Sequence, residues 1–75
     1  MDANGFAEYM HRHEVDAIKV VPSHLESLLK AVNPANALPR RCLVLGGEAC
    51  SNTLLDQVRA LAPACQVFNH YGPTE

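Results

Sequence analysis

The stretch CLVLGGEACSNTLLDQVRALAPACQVFN, residues 42–69, reads as strand, turn, helix and strand. Its first five residues, CLVLG (42–46), are a short apolar run, which suits a buried strand of a parallel sheet. GGEACSN then supplies a turn and a helix cap at Ser51 or Asn52. Leu54, Leu55, Val58 and Leu61 follow at helical spacing and turn one face inward until Pro63 stops the helix. CQVFN (65–69) is the next strand. Such a unit brings its second strand back parallel to the first through a right-handed crossover.

The same rhythm precedes it. Residues 4–13 place Phe6, Tyr9, Met10 and His13 at i, i+3, i+4 and i+7 of an amphipathic helix. DAIKVV (16–21), β-branched and closed by Pro22, suits a second buried strand. Ser23-His24-Leu25-Glu26 reads as a capping box, Ser23 and Glu26 each satisfying the other's amide. Leu25, Leu28, Leu29 and Val32 then form an inward stripe, with Glu26 and Lys30 paired outside. NPANALPR (33–40), rich in Pro and Asn, reads as a surface connection. Three helix-strand units therefore predict an α/β fold built on a parallel sheet. Ligands of open parallel sheets bind beyond the carboxyl ends of the strands. Here those ends are Val21-Pro22-Ser23, Gly46-Gly47-Glu48 and the segment from Asn69 to Glu75.

Composition narrows the function classes. Seventy-five residues allow one small domain or part of a larger one, with a modest core. Six Lys and Arg against eight Asp and Glu, scattered, form no basic stripe for nucleic acid. No apolar run approaches the ~18 residues that span a bilayer, and MDANGFAEYM lacks the features of a signal peptide. A soluble, cytoplasmic protein is expected. Cys42, Cys50 and Cys65 are odd in number and form no C-x-x-C pair, so reduced, mostly buried thiols are expected. His11 and His13, two apart on a helix, face away from each other and make a poor metal pair.

The chemistry gathers at the strand ends. Gly46-Gly47 allows backbone to approach a ligand closely, or forms an ordinary turn. Glu48 is either a solvated acid or a counter-charge for the start of the next helix. In VFNHYGPTE (67–75), Tyr71 offers a stacking face, Asn69 an amide for a base edge and Thr74 a hydroxyl. Glu75 is a hard oxygen donor of the kind Mg²⁺ takes beside phosphates. On the residues alone, a nucleotide–magnesium site and a capped, solvated turn both remain open.

NHYGPTE (69–75) closely resembles the Asn-x-Tyr-Gly-Pro-Thr-Glu motif of adenylate-forming enzymes, in particular the amino-acid adenylation domains of nonribosomal peptide synthetases. VPSHLESLL and CLVLGGEA resemble the stretches that precede that motif, in the same order and at familiar separations, so the likeness covers essentially the whole chain. The resemblance implies that Tyr71 stacks on adenine and Asn69 hydrogen-bonds its amino edge. Backbone at Gly47 and Glu48 would line the other side of the ring. Thr74 would contact the α-phosphate of ATP, and Glu75 would ligate the Mg²⁺ that bridges its phosphates; these two form the expected catalytic pair. An amino-acid carboxylate would attack the α-phosphorus, release pyrophosphate and leave an aminoacyl-adenylate. The phosphopantetheine thiol of a peptidyl carrier protein domain would then take the acyl group.

The resemblance also implies a substrate pocket containing Lys19, Val44, Gly46 and His70. Lys19 and a protonated His70 beside an open floor at Gly46 would favour an acidic side chain, since a buried cation needs an opposite charge. The set resembles that used for aspartate or its β-substituted relatives. The family's phosphate loop, ribose-binding Asp and catalytic Lys have no counterpart in these residues. Residues 1–75 are therefore expected to be a piece of the large N-terminal subdomain, truncated at both ends, partnered by the rest of the adenylation domain and inactive alone. Two alternatives are an acyl- or aryl-acid ligase of the same superfamily and a small α/β interaction module without catalysis. Neither nucleic acid nor membrane is an expected partner.

Overall fold

The centre of the computed structural model, which describes residues 2–70, is strand β2, Cys42–Gly46. Leu43 and Leu45 are fully buried, and both neighbours of β2 run parallel to it. Strand β1, Ala17–Val20, pairs Lys19 with Val44 and Val20 with Leu45. Strand β3, Gln66–His70, pairs Asn69 with Leu45 and His70 with Gly46. The order β1-β2-β3 is thus sequential.

Sequential parallel order has a consequence for layering. Crossovers of one hand, taken in one direction, lay their helices on one face of the sheet. Helix α2, Pro22–Leu28, and helix α3, Asn52–Leu61, lie between successive strands. Their Leu25, Leu54 and Val58 share one core cluster with Leu43 and Leu45. Helix α1, Ala3–His13, adds Ala7 to the same cluster. The other face carries Ala17, Lys19, Val44, Gly46, Phe68 and His70 by alternation from the paired register. There Phe68 is 45 % exposed. The expectation of an α/β fold with three helix-strand units and a parallel sheet is met.

Several local expectations are corrected. The inward stripe of α1 is Ala3, Phe6, Ala7 and Met10, of which Ala7 and Met10 are buried. Tyr9 and His13 instead stack on each other on the outer side, ring centroids 4.3 Å apart, with Tyr9 half exposed. Small alanines let the helix approach closely, so the apolar stripe is turned from the one marked by the larger residues. Strand β1 is not buried: it is one edge of the sheet, with Ile18 and Val20 half-buried and Ala17 and Lys19 exposed.

Helix α2 departs furthest. Its cap is Val21, with no side-chain bond, and Pro22 occupies the first turn, where its missing N–H is no loss. The capping box of Ser23 and Glu26 is therefore absent, and Ser23 lies inside the helix. The helix ends at Leu28 with Leu29 as its cap, so Glu26 and Lys30 are not a helical pair. Val32, predicted inward, is 81 % exposed. Its amide donates to the Asn4 Oδ1 of α1 at 2.8 Å. Ala37 and Leu38 take the core position instead, from the segment expected on the surface, where Pro34–Ala37 forms a 3-10 turn. Helix α3 follows its pattern. Ser51 is the cap, its hydroxyl accepting from the Leu54 amide at 3.1 Å. Leu54 and Val58 are buried, and Leu55 and Leu61 pack against the core.

Candidate functional site

Two turns meet at the carboxyl end of the sheet. The first, Val21-Pro22-Ser23, leads from β1 into α2. The second, Gly47 to Ser51, leads from β2 into α3. Gly47 has φ +83°, the left-handed region that glycine enters without a Cβ penalty. A Cβ there would stand 3.2 Å from Val21 Cγ1, so the two turns already touch. Between them lies an open pocket of about 400 Å³ lined by Lys19, Val20, Val21, His24, Gly46 and Gly47.

Glu48 binds the turns together. Its Oε1 accepts from the Ser23 amide at 2.9 Å, and its Oε2 accepts from the Ser23 hydroxyl at 2.9 Å. Glu48 is thus neither free in solvent nor at the start of the following helix; it serves the first turn of the preceding one. Sequence reasoning missed this pairing across 25 residues, because a capping-box spacing near Ser23 offered a local partner. It also missed His24 as a lining residue. An exposed histidine after a helix-starting Pro-Ser carries no signal of its own.

The predicted substrate positions fall into a common surface. Lys19, Val44, Gly46 and His70 all lie on the uncovered face of the sheet. A Cβ on Gly46 would meet His70 carbonyl oxygen at 3.3 Å, Lys19 Cε at 3.6 Å and His70 Cβ at 3.9 Å. The absence of a side chain at Gly46 therefore lets Lys19 and His70 close over the strand, and Gly46 itself is buried. Val44 is half-buried one step back along β2, in register with Lys19 and Phe68. Phe68 and His70 rings stand 6.4 Å apart on the same side.

Asn69 takes the opposite side. Alternation along β3 puts Asn69 on the helix-bearing face and His70 on the open face, and Asn69 is still exposed because it lies at the strand's end. A group bound at Asn69 and a group bound at His70 are therefore separated by the thickness of the strand. Tyr71, Thr74 and Glu75 lie outside the described residues, and no geometry is attached to them. Among the described residues no group of three or more His, Cys, Asp or Glu side chains could hold a metal ion.

The three thiols are free and half-buried rather than mostly buried. Burial pushes the Cys50 thiol up from its ordinary range, helped by the negative charge of Glu26. Burial likewise raises Cys65, with Cys42 nearby adding to the effect. The thiolate is the reactive form, so this shift keeps Cys50 and Cys65 more fully in the thiol form. No helix among the described residues is long and apolar enough to cross a membrane.

The family of AMP-binding enzymes matches residues 1–75 of this chain. The chain belongs to the AMP-binding enzyme family. Tyrocidine synthase 2 of Brevibacillus parabrevis is 36 % identical over 62 residues, 83 % of the chain and 2 % of that protein. Malpinin synthetase of Mortierella alpina is 31 % identical over 75 residues, all of the chain and 1 % of that protein. Among solved structures, the luciferase-like enzyme of the nonluminescent Zophobas morio mealworm superposes with a TM-score of 0.78 at 25 % identity. That match covers all of the chain and 18 % of the mealworm protein. The adenylation-domain resemblance carried by VPSHLESLL, CLVLGGEA and NHYGPTE is borne out by the family match and these synthetase relatives. The AMP-binding chain thus spans a small part of the length of each relative.

Proposed function

We propose that this AMP-binding chain is part of an amino-acid-activating ligase of nonribosomal peptide synthesis, and that its substrate is aspartate or a close acidic relative. The observation that carries the reading is the convergence of Lys19 and His70 on Gly46, on one face of the sheet. A carboxylate received between these two side chains meets the Lys19 ammonium and an imidazole N–H, which the missing Cβ lets draw together over Gly46. Charge pairing of this kind is favourable where the surroundings exclude water. Lys19 is exposed in this chain, so an apolar side chain there forgoes the pairing rather than stranding a buried charge.

The nucleotide takes the other side of β3. Asn69, at the end of that strand, holds the adenine amino edge through its side-chain amide, and the Gly47–Glu48 backbone borders the ring. Tyr71 stacks on the ring, Thr74 contacts the α-phosphate and Glu75 ligates Mg²⁺. The metal ion, when bound, would supply positive charge against the phosphates. The fold's contribution to this chemistry is position: nucleotide and amino acid approach β3 from opposite faces and meet beyond its end. A phosphopantetheine thiol on a carrier domain then accepts the aminoacyl group.

The reading is tested by amino-acid-dependent ATP–pyrophosphate exchange with the intact protein that contains this chain. Aspartate is expected to support the fastest exchange, and Lys19→Leu to remove most of that preference. Exchange that ignores aspartate and favours an apolar amino acid overturns the substrate. The absence of exchange with every amino acid, alongside activation of a fatty or aryl acid, overturns the ligase class in favour of an acyl- or aryl-acid ligase.

A further inference from the structure

We propose that Glu48 and Ser23 are positioning residues for the adenylating site, and that the Glu48 carboxylate serves the protein's own backbone rather than the ligand. The inference rests on the reading of the chain as part of an amino-acid adenylating enzyme.

The loop that Glu48 holds is weakly fixed by its own residues. Gly46 and Gly47 have no side chains to anchor them, and Gly47 already sits at positive φ. A glycine pair has more conformational freedom than any other, so its position must be set by its neighbours. On the upstream side β2 provides ladder bonds to both adjacent strands. On the downstream side the first residue with a side chain is Glu48, and both of its carboxylate oxygens are engaged by Ser23 at 2.9 Å. Further on, Ser51 caps α3. The ligand-facing peptides are therefore held by the sheet before them and by the Ser23 clasp after them.

The clasp also fixes one turn against the other. Val20 and Val21 come from the β1 side, Gly46 and Gly47 from the β2 side, and the pocket lies between them. Separating the turns would widen that pocket and shift Gly46 relative to Lys19. Charge-assisted hydrogen bonds with both oxygens used are the kind that fix geometry as well as supply energy. Both bonds are exposed to solvent, so their share of global stability is small. Placement of the loop, rather than stability of the fold, is where their loss is felt.

The clasp predicts a specific pattern in the intact protein that contains this chain, measured by ATP–pyrophosphate exchange. Glu48→Ala is expected to lower kcat/KM about ten-fold, mostly through the KM for ATP and amino acid. Ser23→Ala keeps the amide bond and is expected to lose about three-fold. Because one interaction is removed twice, the double variant should be no worse than Glu48→Ala alone. Glu48→Gln retains an oxygen for the Ser23 amide and should recover part of the loss, while thermal melting stays level across the series. Additive losses, a Glu48→Ala enzyme within about two-fold of the parent, or losses that track the folded fraction overturn the clasp while leaving the adenylation reading standing. An unsubstituted protein that exchanges with no amino acid overturns both.

Discussion

At the scale of single residues, the two adjacent glycines do different work. Gly46 permits close packing: a Cβ would crowd the His70 carbonyl and Lys19. Gly47 supplies a backbone conformation, φ +83°, and a Cβ would in addition press on Val21 at 3.2 Å. Gly47→Ala is therefore expected to destabilise the fold by about 1–2 kcal/mol, the ordinary cost of a Cβ in the left-handed region. Chemical denaturation checks this. An unchanged midpoint would mean that the turn can rearrange to another conformation without cost. Gly46→Ala meets no such backbone penalty. The pair could be recognised in the sequence as a loop of close approach, but not which glycine did which task, because that depends on what lies across from each.

At the scale of elements, the ends of the helices are where local chemistry was most and least decisive. Ser51 was one of two readable caps for α3, and its hydroxyl is the one that accepts from Leu54. Ser51→Ala is expected to cost about 1 kcal/mol. Native-state hydrogen exchange should show the loss first at the amides of residues 53 and 54. Ser23 looked equally suitable as a cap three residues before Glu26, yet Pro22 had already started that helix. Proline at the first helical position is pre-set for the turn, so Ser23 is displaced into the helix and its hydroxyl turns to Glu48. In the same way α2 stops at Leu28, and the stripe that pointed to Val32 ends with it. Periodicity marks which residues match a helix; it does not mark where the helix stops.

At the scale of the whole molecule, helices among the described residues cover one sheet face and leave the other open. Leu43 is fully buried on the covered face, whereas Phe68 is 45 % exposed on the open one. Leu43→Ala is expected to remove about 2–5 kcal/mol, a large part of the few kcal/mol to be expected of so small a domain. Phe68→Ala is expected to cost about 1 kcal/mol. Comparing the two in urea denaturation tests the layering directly. A Phe68→Ala loss as large as that of Leu43→Ala would mean that the open face is packed. That same face holds Lys19, Val44, Gly46 and His70, so the surface that adds least to stability is the one that carries the proposed substrate contacts.

Alternation of short apolar strands with amphipathic helices, Gly-Pro-Asn-rich turns and the spacing of three motif stretches were sufficient to determine the α/β class, the parallel sheet and the AMP-binding family. The class and the sheet follow from local propensity and the handedness of crossovers, both present in the chain order itself. The family follows instead from the likeness of the motif stretches to those of known enzymes. The tertiary structure alone decided which face of the sheet is bare, that β1 is a half-exposed edge and that Leu38 replaces Val32 in the core. It also decided that Glu48 reaches Ser23. Each of these depends on groups far apart in sequence competing for one position in space, and a distant partner with better geometry displaces the nearer one.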